Sequence, residues 1–279
     1  MTYSVPGRPH TVGVEWEQIE AGRLRERVRL HLGELASAVD ATRRDAAFGE
    51  ALEAMARFRP YSLVNQWAIR WQRPTATRVM GRKGWRAVGR DVKPGEAPIW
   101  VLAPWRPSEG RFVAVEVFDV RQTRGKRFPE LDLLHRGSTR HVATIEGAAR
   151  TLGVRIGDHL GNDDARAVSL GGEIRIRPGL PRREGLRALV HELAHEILHQ
   201  EEARRRDSLR RRPPARTHAE EETEADATAH VVLNVLGLPS KSPAYIAWQG
   251  GDGATVLRSL SRVQRAVTRI LDAAGLQGP

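Results

Sequence analysis

The stretch HELAHEILH occupies residues 191–199. On an α-helix, residues four apart share one face a turn apart, so His191 and His195 can aim two imidazoles at a single ion. Glu192 is turned about 100° from His191 and can reach a water at that ion without binding the ion itself. This is the H-E-x-x-H arrangement of zinc peptidases, with the Glu as general base. The chain carries 10 His; with Glu at roughly 8% of positions, a chance match is expected about 0.03 times. The plainer alternatives are a buried His face satisfied by neighbouring acids, and a metal site without catalysis.

Zn²⁺ in a catalytic site needs a third protein ligand and an open position. The chain has no Cys, which removes disulfides, thiolate ligands and a Cys nucleophile together. The third ligand must then be His or a carboxylate. The acid-rich run HAEEETEADATAHVV at 218–232 supplies the candidates. Glu224 lies beside small residues and is best placed where that helix packs closely. Glu220, Glu221, Glu222 and Asp226 compete, Asp226 rather as an acceptor for an imidazole N–H. His199 continues the His face one turn on and reads as support more than as a ligand. His218 and His230 are weaker third ligands. Tyr245 is a candidate donor to an oxyanion, with packing beside Trp248 as the plainer role.

These side chains need a scaffold. Residues 181–202 read as the long helix that carries the motif, and 218–236 as the acid-bearing helix, closed by Gly237. GGEIRIR at 171–177 alternates as a half-exposed strand should. Further helices fit 142–152 and 259–271, with a short strand at 154–156. Between the two motif helices lies RRRDSLRRRPPAR, a charge-dense loop at 204–216.

The other half has a different texture. Apolar spacing predicts helices at 14–39, 45–58 and 62–71, the last capped by Ser62. Residues 76–120 are glycine-rich, with strand-like runs at 77–80, 85–87, 99–103 and 111–120. Aromatic and basic residues interleave here. Tyr61, Trp67, Trp71 and Trp85 sit among Arg78, Arg82, Lys83, Arg90 and Lys93. Such a mixture holds single-stranded nucleic acid, by base stacking and phosphate tracking. It equally describes the core of a small sheet with a solvated basic face.

Lys and Arg number 45 against 34 acids, a formal charge of +11. That favours a polyanionic partner. Only four of the cations are Lys (83, 93, 126 and 241), so arginine-rich coding is a second explanation. No apolar run is long enough to span a bilayer and the start lacks a signal-peptide pattern; the expectation is a cytoplasmic protein without a membrane partner.

Two stretches of the chain resemble a known family. "YSLVNQWAIRWQRPTATRVMGRKGWRAVGRDVKPGEAPIWVLAP" followed by "VFDVRQTRG" is similar to the N-terminal domain of ArdC-type antirestriction proteins. "VHELAHEILH" with "ETEADATAHVVLNVLGL" is similar to their zincin-like metallopeptidase domain, which is related to the ImmA/IrrE peptidases. The resemblance runs over roughly residues 55–250. It implies an α+β protein of two domains. Residues 1–125 form a helical and antiparallel-sheet domain that binds single-stranded DNA, 126–140 a linker, and 141–279 the metallopeptidase domain. It further implies one Zn²⁺ held by His191, His195 and Glu224, with Glu192 as base, and protection of DNA from restriction. Ser62, Asn65, Trp85, Gly89 and Lys93 match the N-terminal pattern. Tyr61, Asn65, Arg78, Arg82, Lys83, Trp85, Arg90 and Lys93 are the expected nucleic-acid contacts. The peptide substrate is not legible. Two rivals stay open: a regulatory peptidase that cleaves a repressor, and a non-catalytic DNA-protecting protein with a structural metal.

Overall fold

Ser62 accepts a hydrogen bond from the Asn65 backbone N–H at 3.4 Å, which satisfies one of the open donors at a helix start. The helix that follows, Leu63–Gln72, matches the sequence expectation. It belongs to a computed structural model that describes residues 22–26, 41–106, 111–127, 140–159, 161, 164–200, 216–238 and 253–276. The chain is a mixed α and β protein. It divides into two units, residues 1–34 with 60–130 and residues 35–59 with 131–279. Residues 22–26 are helical, and the further helices among the described residues are, in chain order, α1 Ala41–Arg57, α2 Leu63–Gln72, α3 Arg82–Ala87, α4 Arg140–Thr151, α5 Arg182–His195, α6 His218–Val235 and α7 Gly253–Ala273. The strands are β1 Val79–Met80, β2 Arg90–Val92, β3 Ile99–Arg106, β4 Arg111–Asp119, β5 Thr123–Gly125, β6 Arg155–Asp158, β7 Ala167–Ser169 and β8 Glu173–Ile176.

In the first unit, β1, β4 and β3 form an antiparallel sheet in that order. β2 and β5 pair as a separate ribbon. Helix α2 packs on β3 through a face that buries Trp67, Ala68 and Ile69. The strand expected at 85–87 is instead the end of α3. The reason is Trp85: a helical turn from Gly81 drops its indole into the core, where Nε1 donates to the Phe118 carbonyl at 2.8 Å. A strand there would leave that N–H to be satisfied elsewhere. Gly89, at φ 77°, then turns the chain into β2 in a conformation that costs other residues more. Within residues 22–26, Leu24 is buried and the Arg25 guanidinium stacks 4.2 Å above the Phe112 ring.

The second unit is mainly helical. α6 packs against α1, α5 and α7, and α4 packs against α5 and α7. Small residues allow the close approach: Ala225, Ala227, Ala229 and Thr228 of α6 are all buried. α7 buries Leu260, Val263, Val267, Ile270 and Leu271 at the 3.6-residue period of a core-facing helix. α1 groups with this unit, whereas the sequence reading grouped it with residues 1–125. Its periodicity was legible, but an apolar stripe does not say which partner covers it.

Three strands, β2, β5 and β7, lie outside the runs expected from the sequence. β7 runs antiparallel to β8, and β8 also pairs in parallel with β6. Gly171 and Gly172, read as the start of a strand, are the hairpin turn, with φ of 74° and 101°. Two successive positive φ values fit a tight two-residue hairpin. Among the described residues no helix is long and apolar enough to cross a membrane.

Candidate metal centre

Helix α5 buries Leu186, Leu189, Val190, Leu193 and Ala194. That apolar stripe fixes its rotation and directs His191, Glu192 and His195 away from the core. The helix continues as a π-helical turn, Glu196–Gln200, a wider winding that is rare outside special sites. Glu196 anchors this end to the β7–β8 hairpin. Its carboxylate accepts from Ser169 Oγ at 2.7 Å, from Gly171 N–H at 2.8 Å and from Gly172 N–H at 2.7 Å. Sequence reading gave Glu196 no role; its position after the second His was the only signal.

α6 begins at a Thr217–Glu220 capping box, with Thr217 Oγ1 accepting from the Glu220 N–H at 3.2 Å. The helix brings Glu222 to the two imidazoles. His191 Nε2 lies 3.4 Å and His195 Nε2 3.3 Å from its carboxylate, and the two Nε2 atoms are 3.1 Å apart. His191, His195 and Glu222 thus form a cluster that can hold a divalent metal ion. Bonds of about 2.0–2.1 Å at tetrahedral angles put ligand atoms roughly 3.3 Å apart, so the spacing fits. The donor chemistry fits as well. His191 Nδ1 lies 3.1 Å from Asp226 Oδ1, an acceptor-only group. That Nδ1 therefore carries hydrogen, and Nε2 faces the cluster. Asp226 takes the supporting position foreseen for it.

Glu224, the expected third ligand, is not in this cluster. Its side chain is fully buried. Both of its oxygens are engaged by Arg262 Nε at 3.0 and 2.9 Å, with Ser259 Oγ at 2.6 Å and His199 Nε2 at 3.1 Å. A carboxylate locked in this way has no oxygen to turn toward His191. Glu222, two residues earlier, carries its carboxylate on a more open side of the same helix. The small-residue context that singled out Glu224 marks burial, not metal access. His199 is buried in contact with His195, Nδ1 to Nδ1 at 2.9 Å, as a support would be. His218 is exposed and 3.8 Å from Glu222. His230 is buried on Asn234, 2.8 Å away. Glu220 is engaged by Thr217. Tyr245, Trp248 and the Arg-rich stretch 204–215 lie outside the described residues.

Beside the cluster opens a cleft of about 620 Å³, lined by Arg166, Ala167, Arg187, His191, Glu192 and Asp226 among others. Electrostatics separate the acids that share it. Burial raises Glu192 above the usual carboxylate range, against the pull of His191 and His195. The Ser169 backbone N–H also bonds to Glu192. The hydrogen bond from His191, with His195 close beside it, holds Glu222 far below that range. Burial alone would lower His191, but its bonds to Asp226 and Glu222 win and lift it to about 9. One proton is thus held among the converging acceptors.

In the first unit several expected nucleic-acid residues turn inward. Trp85 is fully buried. Asn65 clamps β3, giving its Nδ2 to the Leu102 carbonyl and accepting the Leu102 N–H, each at 2.8 Å. The Tyr61 hydroxyl donates to the Val79 carbonyl at 2.9 Å, and burial raises it to about 12. Arg78 is half-buried, and burial lowers its pKa. Arg82 stacks 4.3 Å above Phe118. Arg90 ties β2 to β5 through Thr123 Oγ1 at 2.8 Å and the Lys126 carbonyl. Lys83 and Lys93 are exposed, with Lys93 Nζ on the Arg121 carbonyl at 2.7 Å. Exposed Arg121, Arg124, Lys126 and Arg127 make the ribbon and its flanks strongly basic. They were not singled out, because isolated cations carry no motif. Among the described residues here, Trp71 is an exposed aromatic, at 44%.

No protein-family model matches the chain, and no curated protein matches it. Among solved structures it is similar to the antirestriction ArdC protein from the R388 plasmid. The metal-free crystal structure is 17% identical with a TM-score of 0.45, over 78% of this chain and 85% of that one. The Mn(II)-bound structure is 15% identical with a TM-score of 0.46, over 91% and 97%.

Proposed function

We propose that this chain is a metal-dependent peptidase of antirestriction type whose first unit binds single-stranded DNA. The observation that carries the peptidase reading is the convergence of His191, His195 and Glu222 on one point, with Glu192 lining the adjoining cleft. His191, His195 and Glu222 would hold one divalent cation, Zn²⁺ by donor preference, with Mn²⁺ compatible with the same His and carboxylate set. Such a cation supplies Lewis acidity to a carbonyl and a readily ionised water. Glu192, raised by burial, takes a proton from the attacking water and returns it to the leaving amine, as a base with a pKa moved toward neutrality does well. Asp226 orients His191, and Glu196 fixes the hairpin that borders the cleft. The DNA reading is supported by the exposed cations of the β2–β5 ribbon and its flanks and by exposed Trp71.

The test compares wild type with Glu192→Gln. Wild type is expected to bind one Zn²⁺ or Mn²⁺ and to protect incoming DNA from restriction in cells. Glu192→Gln is expected to keep the metal and lose protection. Protection that survives the substitution removes the peptidase from that role and leaves a DNA-shielding protein with a structural metal. Purified protein with no metal affinity ends the reading of the second unit. An absence of salt-dependent binding to a labelled oligonucleotide at low salt ends the DNA reading.

A further inference from the structure

Behind the metal centre lies a buried line of side chains that the hydrolytic scheme does not use. His195 Nδ1 is 2.9 Å from His199 Nδ1, and His199 Nε2 is 3.1 Å from Glu224 Oε2. Arg262 grips Glu224 with Nε and gives Nη2 to the Leu198 carbonyl in the π-helical turn at 2.7 Å. Ser259 Oγ completes the grip. The side chains of His199, Glu224 and Arg262 are 5%, 0% and 6% exposed, so water does not compete for these bonds. A buried carboxylate is sustained only when paired and hydrogen-bonded, and Arg262 meets both needs.

The donors and acceptors along this line allow one assignment. Glu224, paired with Arg262, only accepts. His199 must therefore donate from Nε2. A neutral imidazole carries one N–H, so His199 Nδ1 accepts. His195 must then donate from Nδ1, and its Nε2 keeps a lone pair. That Nε2 is the atom facing His191 and Glu222. A doubly protonated His199 would add a third cation to a buried carboxylate that Arg262 and, at 3.8 Å, Arg216 already face. It would also push the His195 proton onto Nε2, toward the ion.

We infer that Glu224, clamped by Arg262 and Ser259, is a positioning residue that acts through His199 to fix the tautomer and ring orientation of His195 for metal binding. The two ligand histidines are then supported differently. His191 leans directly on Asp226. His195 leans on a carboxylate through a second histidine. The inference rests on the metal-centre reading, in which His195 is a ligand. Orienting groups of this kind are worth about 10–100-fold in metal affinity.

The experiment uses the full chain and the variants His199→Leu and His199→Gln. Long-range proton–nitrogen spectra of the metal-free protein read the tautomer of each imidazole. Chelator competition reads Zn²⁺ and Mn²⁺ affinity, and thermal melts report folding. Wild type is expected to show hydrogen on His195 Nδ1. His199→Leu is expected to lose that single tautomer and bind metal about 10–100-fold more weakly. His199→Gln, whose amide oxygen accepts from Nδ1, is expected to recover most of both. Wild-type affinity in folded His199→Leu overturns the inference alone. Hydrogen on His195 Nε2 in wild type overturns it even where the Leu variant does not fold. No metal on wild type removes the centre itself and the inference with it.

Discussion

Two regions were marked by chemistry-bearing residues, and they fold in opposite senses. In the second unit, α5 buries its leucines, keeps His191 and Glu192 on the cleft and sets His195 beside His191. In the first, Trp85, Asn65 and Tyr61 spend their polar atoms on backbone carbonyls and amides of their own sheet. The difference lies in how strict the pattern is. A metal needs several donors within a few ångströms, so spacing and residue type together specify a site. Base stacking needs only an exposed ring and a nearby cation, a mixture that sheet cores and their solvated faces also produce. The first kind of motif keeps its two histidines together on folding, although the acid that joins them is Glu222 and not Glu224. The second must be sorted by burial.

Replacing the donors should break the first half of that contrast most strongly. His195→Ala is expected to lower metal affinity by ~10³-fold, taking a binding energy of ~10–16 kcal/mol as shared among three ligands. Glu222→Gln should lose roughly as much, and Glu224→Gln only the 10–100-fold of an orienting group. Calorimetric titration with Zn²⁺ and Mn²⁺ of all three variants decides this. A reversed order for the two Glu variants would return Glu224 to the ligand set.

Next in size is a test of the inward residues. Trp85→Ala removes a fully buried indole and its hydrogen bond to Phe118, and should cost about 3–5 kcal/mol in urea unfolding. Trp71, 44% exposed, should behave oppositely. Its Ala variant is expected to change stability by less than ~0.5 kcal/mol, yet weaken oligonucleotide binding by ~1–3 kcal/mol if a base stacks there. Equal effects of the two variants on stability would dissolve the distinction.

The same contrast shows what the sequence made legible. Ser62 capped α2 as read, the apolar stripes of α1 and α7 were visible, and α6 was marked by its acids and the Gly237 that closes it. The i, i+4 rule gave His191 and His195 directly. The third donor was harder, because Glu222 and Glu224 lie two residues apart and so fall on different faces of α6. Only the packing of α6 against α5 and α7 says which face meets the imidazoles and which meets Arg262. β7 was invisible because three residues show no alternation, and the Gly171–Gly172 turn merged with the strand behind it. The strand expected at 85–87 failed because Trp suits strands by propensity, while the Trp85–Phe118 contact is tertiary.

A smaller effect concerns pH. In the metal-free protein His191 is lifted from about 6.5 to about 9 by Asp226 and Glu222 despite its burial. A raised folded-state pKa stabilises below the unfolded value, and that stabilisation is lost as pH rises through about 9. Metal affinity should run the other way, because the cation displaces the proton from His191. Between pH 7 and 9 the metal-free protein should melt at progressively lower temperature while Zn²⁺ binding tightens. The proton released on binding is expected to shrink toward zero above pH 9, as read by calorimetry in buffers of different ionisation enthalpy. Affinity flat across this range would mean that His191 binds no proton that the metal must displace.

The smallest effect sharpens the other half of the comparison. Lys93 is exposed at the end of β2, with its ammonium on the Arg121 carbonyl, and Arg121, Arg124 and Lys126 are exposed on the paired side of the ribbon. Lys93→Ala should leave stability within ~0.5 kcal/mol of wild type, since one solvated hydrogen bond is exchanged for water. If Lys93 neutralises one phosphate, each such contact contributes about 0.7 to the slope of log affinity against log salt for single strands. Lys93→Ala should therefore flatten that slope by about 0.7 and weaken binding alike on all oligonucleotide sequences. An unchanged slope removes Lys93 from the DNA surface. A weakening confined to one sequence would mean that this end of the ribbon reads bases, which a lone ammonium on a strand end is poorly built to do.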